Sequence, residues 1–292
     1  MSKILVTGAS GQVGRALAAW SAGCEEDFIL VSRDTLDITD AGQVARFLEE
    51  HPVKAIINCA AYTAVDAAED HPVEAEKINS HAVAILAEAS KAYGLKLVHI
   101  STDYVFDGQK NSPYLETDPV APLGVYGRTK WEGEAAMRAI NPPQSVIIRT
   151  SWVYGLHGNN FVKTMLKLGK ERDTLQVVDD QVGTPTNAAD LAAAILRIVP
   201  QSDHDGVRTY HYTNEGVCSW FDFAKAVMEY GKLSCKVIPV PSSEYPTKAK
   251  RPKFSVLSKQ AFKRDFKMDI PYWRDSLREY LEEMGEAEIP LP

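Results

Sequence analysis

The chain has 292 residues, 45% hydrophobic and 24% charged, with a formal net charge of −7. That balance fits an ordinary soluble protein, one large domain plus an appendage or two domains, able to bury a core without disulfides or a structural metal. It argues against a nucleic-acid partner, because the cationic residues are dispersed, and against a membrane span, because no apolar stretch reaches the necessary length.

The opening residues 1–8 enter a short apolar strand without the hydrophobic run of a signal peptide. Cys24, Cys59, Cys218 and Cys235 form no CxxC pair and suit scattered, reduced thiols. A cytoplasmic location is expected from both.

Residues 4–7 read as the first strand, which feeds Gly8-Ala9-Ser10-Gly11-Gln12-Val13-Gly14 and then a helix with Val13, Leu17 and Trp20 on one face. Glycines at that turn let the backbone approach a pyrophosphate, and the helix amino terminus offers amide donors, so dinucleotide binding is expected over a bare tight turn. Residues 28–31 form the second strand. After it stand Arg33, placed to meet a ribose 2′-phosphate, and Asp37 and Ile38, placed to line the adenine end; this favours NADPH and leaves NADH open. Asp40 is read as a helix cap.

The third strand, residues 55–58, ends in Asn58-Cys59-Ala60-Ala61-Tyr62, where small side chains let a cofactor lie close. Ile78, Ala82, Ile85 and Ala89 mark a helical face, and residues 97–101 a fourth strand ending in Ser101-Thr102-Asp103. Carboxyl ends of parallel strands share one rim, so Thr102 reaches the same crevice. Tyr126 and Lys130, four apart on a helix, stack a phenol and an ammonium on one face. Such a cation is expected to lower the phenol's pKa, with Tyr126 giving a proton to a carbonyl and Thr102 bonding the same oxygen.

A fifth strand follows at 146–149, completing an α/β reading: a Rossmann-like, doubly wound parallel sheet over residues 1–150 and about 179–205. A smaller, discontinuous α/β substrate domain is assigned to about 151–178 and 206–292. It includes a strand at 209–212 and a helix at 219–230, while a helix at 188–198 belongs to the first domain. Seven histidines show no ligand spacing, and no phosphate loop of the GxxxxGK[ST] kind or GxSxG elbow is present.

The glycine loop, residues 58–61 and the Tyr126/Lys130 pair resemble the extended short-chain dehydrogenase/reductase superfamily. Residues 37–40, 60–66, 101–108, 149–155 and Arg251-Pro252 look more narrowly like the dTDP-4-dehydrorhamnose reductase family. The resemblance implies reduction of the C4 ketone of dTDP-4-dehydro-L-rhamnose by a nicotinamide cofactor, with Thr102, Tyr126 and Lys130 as catalytic triad. It further implies that Asp103 and Trp152 contact the sugar nucleotide, with Asn160 and Arg251 near the base or diphosphate.

Some family members are described as dimers joined by magnesium on acidic side chains, one directly after the third glycine. Arg15 stands there in this chain and Asp190 lacks partners, so a monomer or weak homodimer without a magnesium link is expected. The alternatives are another nucleotide-sugar reductase or epimerase, or a non-catalytic NADP-binding regulatory subunit like that of methionine adenosyltransferase.

Overall fold

A computed structural model describes residues 3–21, 27–201 and 204–287. Six parallel strands form the central sheet: β1 (Lys3–Thr7), β2 (Phe28–Val31), β3 (Val53–Asn58), β4 (Lys96–Thr102), β5 (Ser145–Thr150) and β6 (Val207–His211). Their order across the sheet is β6-β5-β4-β3-β1-β2. The direction of winding reverses beside β1, which opens a crevice at the carboxyl ends of β1 and β3.

Alternate residues of each strand pack on opposite faces, as the two-residue period requires. Val6, Ile57, Val98 and Ile148 meet helices Gln12–Ser21 and Ala188–Gln201 on one side. Leu5, Ile56, Leu97 and Ile147 meet helices Ala41–Glu50, Ala82–Tyr93 and Val125–Ile140 on the other. Burial on both faces explains why the strands read as nearly continuous apolar runs. Trp20, expected on the buried face of its helix, is 47% exposed, and Leu17, with Val13 and Ala16, makes that helix's contact with the core.

A second core gathers around helices Phe161–Glu171, Trp220–Tyr230 and Trp273–Ala287, with strand Thr174–Val178 paired in parallel to Lys236–Val240. The expected assignment of everything beyond 206 to this smaller unit does not match the topology. β6 pairs with β5, satisfying a backbone edge that β5 alone would leave open, and Phe262 and Phe266 of helix Gln260–Phe266 pack under the main sheet. The expected helices at 188–198 and 219–230 are present as Ala188–Gln201 and Trp220–Tyr230, the second capped by Ser219 and Asp222 bonding reciprocally. Cys59, Cys218 and Cys235 are free thiols; Cys24 lies outside the described residues.

Candidate active site

β1 ends where Gly8 adopts φ of 66°, and a Cβ there would lie 2.5 Å from the Ala60 amide nitrogen. The loop and the end of β3 therefore press together as only glycine allows. Beside them opens a cleft of about 310 Å³ lined by Gly8, Ser10, Gly11, Arg33, Asp37, Ile38, Ala60 and Ala61. Eight of the residues expected to hold a dinucleotide thus share one cavity. Lys77 and Glu74 line it too. They sit on a helical segment forty residues after Asp37 in sequence, with no motif to mark them.

Four further expected cofactor residues lie outside that lining and make contacts within the chain. Gln12 turns to the smaller unit, donating to the Val153 carbonyl at 3.4 Å and accepting from Asn160 Nδ2 at 3.0 Å. Val13 packs against the main core, and Gly14 lies under the Gly8 carbonyl, where a Cβ would come to 2.4 Å. Tyr62 has its amide and carbonyl bonded to the buried Asn79 side chain, at 2.8 and 3.1 Å. Asp37 accepts from the Thr39 amide and hydroxyl, which hold its carboxyl below the usual range. Asp40 caps the next helix, accepting from the Gln43 amide at 3.0 Å.

Thr102 closes β4 and accepts from the Tyr104 amide at 3.2 Å. Its hydroxyl donates to the Asp103 carboxylate at 3.0 Å. Beside it stands the half-buried Tyr126 phenol, which desolvation pushes up to about 12 although the nearby Thr102 hydroxyl pulls it down. The expected lowering by Lys130 is not seen. Lys130 is buried on the Val125–Ile140 helix with Nζ turned toward the sheet, donating to the Ile100 carbonyl at 2.7 Å and lying 3.3 Å from His99 Nε2. Burial lowers the Lys130 ammonium to about 8. A phenol high in its range is protonated at neutral pH, the form from which a carbonyl oxygen can take a proton during reduction.

Asp103, beside Thr102, is 2% exposed, and burial raises its carboxyl to about 6 against the pull of the Ser255 and Thr102 hydroxyls. Trp152 sits at φ of 49° and stacks on Trp220, ring centroids 3.6 Å apart. Sequence reasoning passed over Trp220, since a tryptophan opening a helix reads as packing alone. Arg251 is gripped by Asp66 through both guanidinium nitrogens, at 2.6 and 3.2 Å. It lines a cleft of about 740 Å³ with Gln181, Tyr245 and Lys253. The expected diphosphate contact of Arg251 must therefore compete with a carboxylate.

Asn160 is not turned to that cleft. It caps the Phe161–Glu171 helix, accepting from the Lys163 amide at 3.0 Å, and gives its amide protons to Gln12 and the Gly155 carbonyl. Asp190 likewise accepts from Asn214 and Ser276, both at 2.6 Å.

The sheet, the glycine cleft at its winding reversal and the Thr102–Tyr126 pair at the same rim define a class: a nicotinamide-dinucleotide oxidoreductase of the extended short-chain kind. The family model described as RmlD substrate binding domain matches residues 2–286, and the chain belongs to that family. A dTDP-4-dehydrorhamnose reductase of Burkholderia thailandensis is 42% identical over 93% of this chain and 95% of its own.

Among solved structures, a dTDP-4-dehydrorhamnose reductase of Clostridium acetobutylicum is 43% identical, with a TM-score of 0.92 over 97% of this chain and 99% of that one. Another from Bacillus anthracis, in complex with NADP, is 40% identical with a TM-score of 0.92 over 97% of this chain and 100% of that one.

Proposed function

We propose that this chain reduces the C4 ketone of dTDP-4-dehydro-L-rhamnose to dTDP-L-rhamnose with NADPH, Tyr126 giving the proton. The carrying observation is the half-buried Tyr126 phenol, held protonated beside Thr102 at the rim that also holds the dinucleotide cleft. The names of the relatives support the substrate, and Arg33 in the cleft supports a 2′-phosphate on the cofactor.

The dihydronicotinamide, when bound, supplies hydride. Tyr126 passes its proton to the carbonyl oxygen, and Thr102 bonds that oxygen as charge develops on it. Lys130 contributes positive potential and a donor to the same corner. Asp103 and the Trp152/Trp220 stack are the proposed sugar-nucleotide contacts, and Arg251 joins them only by sharing its guanidinium with Asp66. The enzyme acts in the cytoplasm as a monomer or weak homodimer: exposed Arg15 repels a shared magnesium, and Asp190 is engaged by Asn214 and Ser276.

The test is NADPH oxidation with dTDP-4-dehydro-L-rhamnose, with the product analysed for dTDP-L-rhamnose. Tyr126→Phe is expected to lower kcat by roughly 10²–10⁴-fold while NADP+ affinity stays unchanged. Wild-type turnover in that variant would remove Tyr126 as the acid; turnover only with a different nucleotide sugar would replace the substrate.

A further inference from the structure

Thr7, Asn58 and His99 are lateral neighbours on β1, β3 and β4, in register across three adjacent parallel strands. All three are buried, and their side chains make one continuous row. Asn58 Oδ1 accepts from the Thr7 hydroxyl at 2.7 Å and from the Ala60 backbone amide at 3.1 Å. A backbone N–H can only donate, so it fixes which end of the Asn58 amide is oxygen. Asn58 Nδ2 then donates to His99 Nδ1, 3.1 Å away.

A neutral imidazole carries one proton, and with Nδ1 accepting, that proton is on Nε2. Nε2–H faces Lys130 Nζ at 3.3 Å. An ammonium has no lone pair, so a charged Lys130 would set two donors against each other. Turning the imidazole tautomer moves the conflict to Asn58, and turning the Asn58 amide moves it to Ala60. Only an uncharged amine, accepting from Nε2–H and donating to the Ile100 carbonyl, leaves every donor with an acceptor.

We propose that His99 is a positioning residue that favours the neutral amine of Lys130 while Nζ is turned to the sheet, so that seating the cofactor draws a proton onto Lys130. This rests on the cofactor reading above. The proton comes from solvent and adds to the Nζ lone pair; no other bond changes. The cofactor's anionic phosphates and ribose oxygens favour the ammonium, whereas the His99 donor opposes it.

Other groups facing Lys130 do not supply that opposition. Cys59, at the end of β3, is a thiol pushed up to about 12 and therefore uncharged, and Tyr126, one turn earlier, is a neutral phenol. Glu134, one turn later, is ionised and favours the ammonium, but it is bonded to Arg149. Burial of His99 keeps its imidazole neutral well below its usual range, which leaves the tautomer as the variable.

Two measurements on the full-length protein decide the matter. Long-range ¹⁵N–¹H NMR of ring-labelled histidine, with His99 assigned through His99→Gln, is expected to show a neutral ring protonated at Nε2; an Nδ1–H tautomer or a cationic ring overturns the proposal. Calorimetric titration with NADP+ at about pH 9, in two buffers of different ionisation enthalpy, is expected to show uptake approaching a full proton per site.

Uptake should fall toward zero in Asn58→Asp, whose carboxylate accepts from Nδ1 and turns Nε2 into an acceptor for the ammonium. NADP+ binding without uptake in the wild type overturns the proposal. Absence of NADP+ binding would instead strike at the cofactor reading, and the His99 tautomer alone would then decide.

Discussion

Two polar rows cross one face of the sheet, two residues apart along β4, and they treat a buried basic side chain in opposite ways. In the upper row Ser101 and Arg149 are register partners, and Glu134 descends onto both from the Val125–Ile140 helix. Arg149 grips Glu134 at 2.9 and 2.7 Å, Ser101 donates at 2.6 Å, and Arg138 adds a bond at 2.9 Å. That cation is fully compensated.

In the lower row Thr7, Asn58 and His99 lead to Lys130, whose hydrogen bonds among the described residues go to an imidazole and a carbonyl. The first arrangement clamps the helix to the sheet; the second leaves a charge free to respond. Tyr126, Lys130 and Glu134 lie on one helical stripe, so the clamp also sets where the responsive end stands.

Breaking the clamp should give the largest effect. Glu134→Ala strands a buried guanidinium, and urea unfolding at pH 7 should show a loss of about 3–5 kcal/mol. A loss below about 1 kcal/mol would mean that the pair does not hold the helix.

Asp103→Asn sharpens the contrast from the other side, since its carboxylate is buried with little compensation. Its folded pKa of about 6 lies above the unfolded value of 3.8, so the wild type loses stability as pH rises through that window. The variant should gain on the order of 1–3 kcal/mol at pH 7 and show a flatter Tm between those two pH values, at the expense of turnover. An unchanged pH slope would contradict the raised carboxyl.

Smallest in stability is Lys130→Met, expected to stay within about 1 kcal/mol of wild type in the same urea series because a buried amine held by one imidazole and one carbonyl contributes little to the fold. Its turnover should nevertheless fall steeply. Destabilisation like that of Glu134→Ala would erase the distinction between the rows.

Much of this was legible in the sequence wherever the signal is local. The strands leading to Gly8, Arg33, Ala60 and Thr102 appear as apolar runs, and Tyr126 and Lys130 declare a shared helix face by spacing alone. What stayed hidden depends on lateral register. Thr7, Asn58 and His99 are neighbours only because three strands align, and each by itself reads as a strand-end polar residue. The pairing of Gln12 with Asn160 stayed hidden for a related reason: their bond joins segments 148 residues apart. The placement of β6 was missed because its strand follows a long excursion and composition does not say which sheet a strand will join.

That excursion has a consequence for the order in which the protein is made. β1 to β5 leave the ribosome in an unbroken series, but the outer neighbour of β5 is not synthesised until residues 207–211 emerge, after only the first part of the second core, residues 154–177, has appeared. For the intervening time β5 presents an unpaired edge to its surroundings. Closing the sheet requires a long-range contact between residues 145–149 and 207–211, which makes this docking a natural slow step and β5 the strand most in need of protection on the nascent chain.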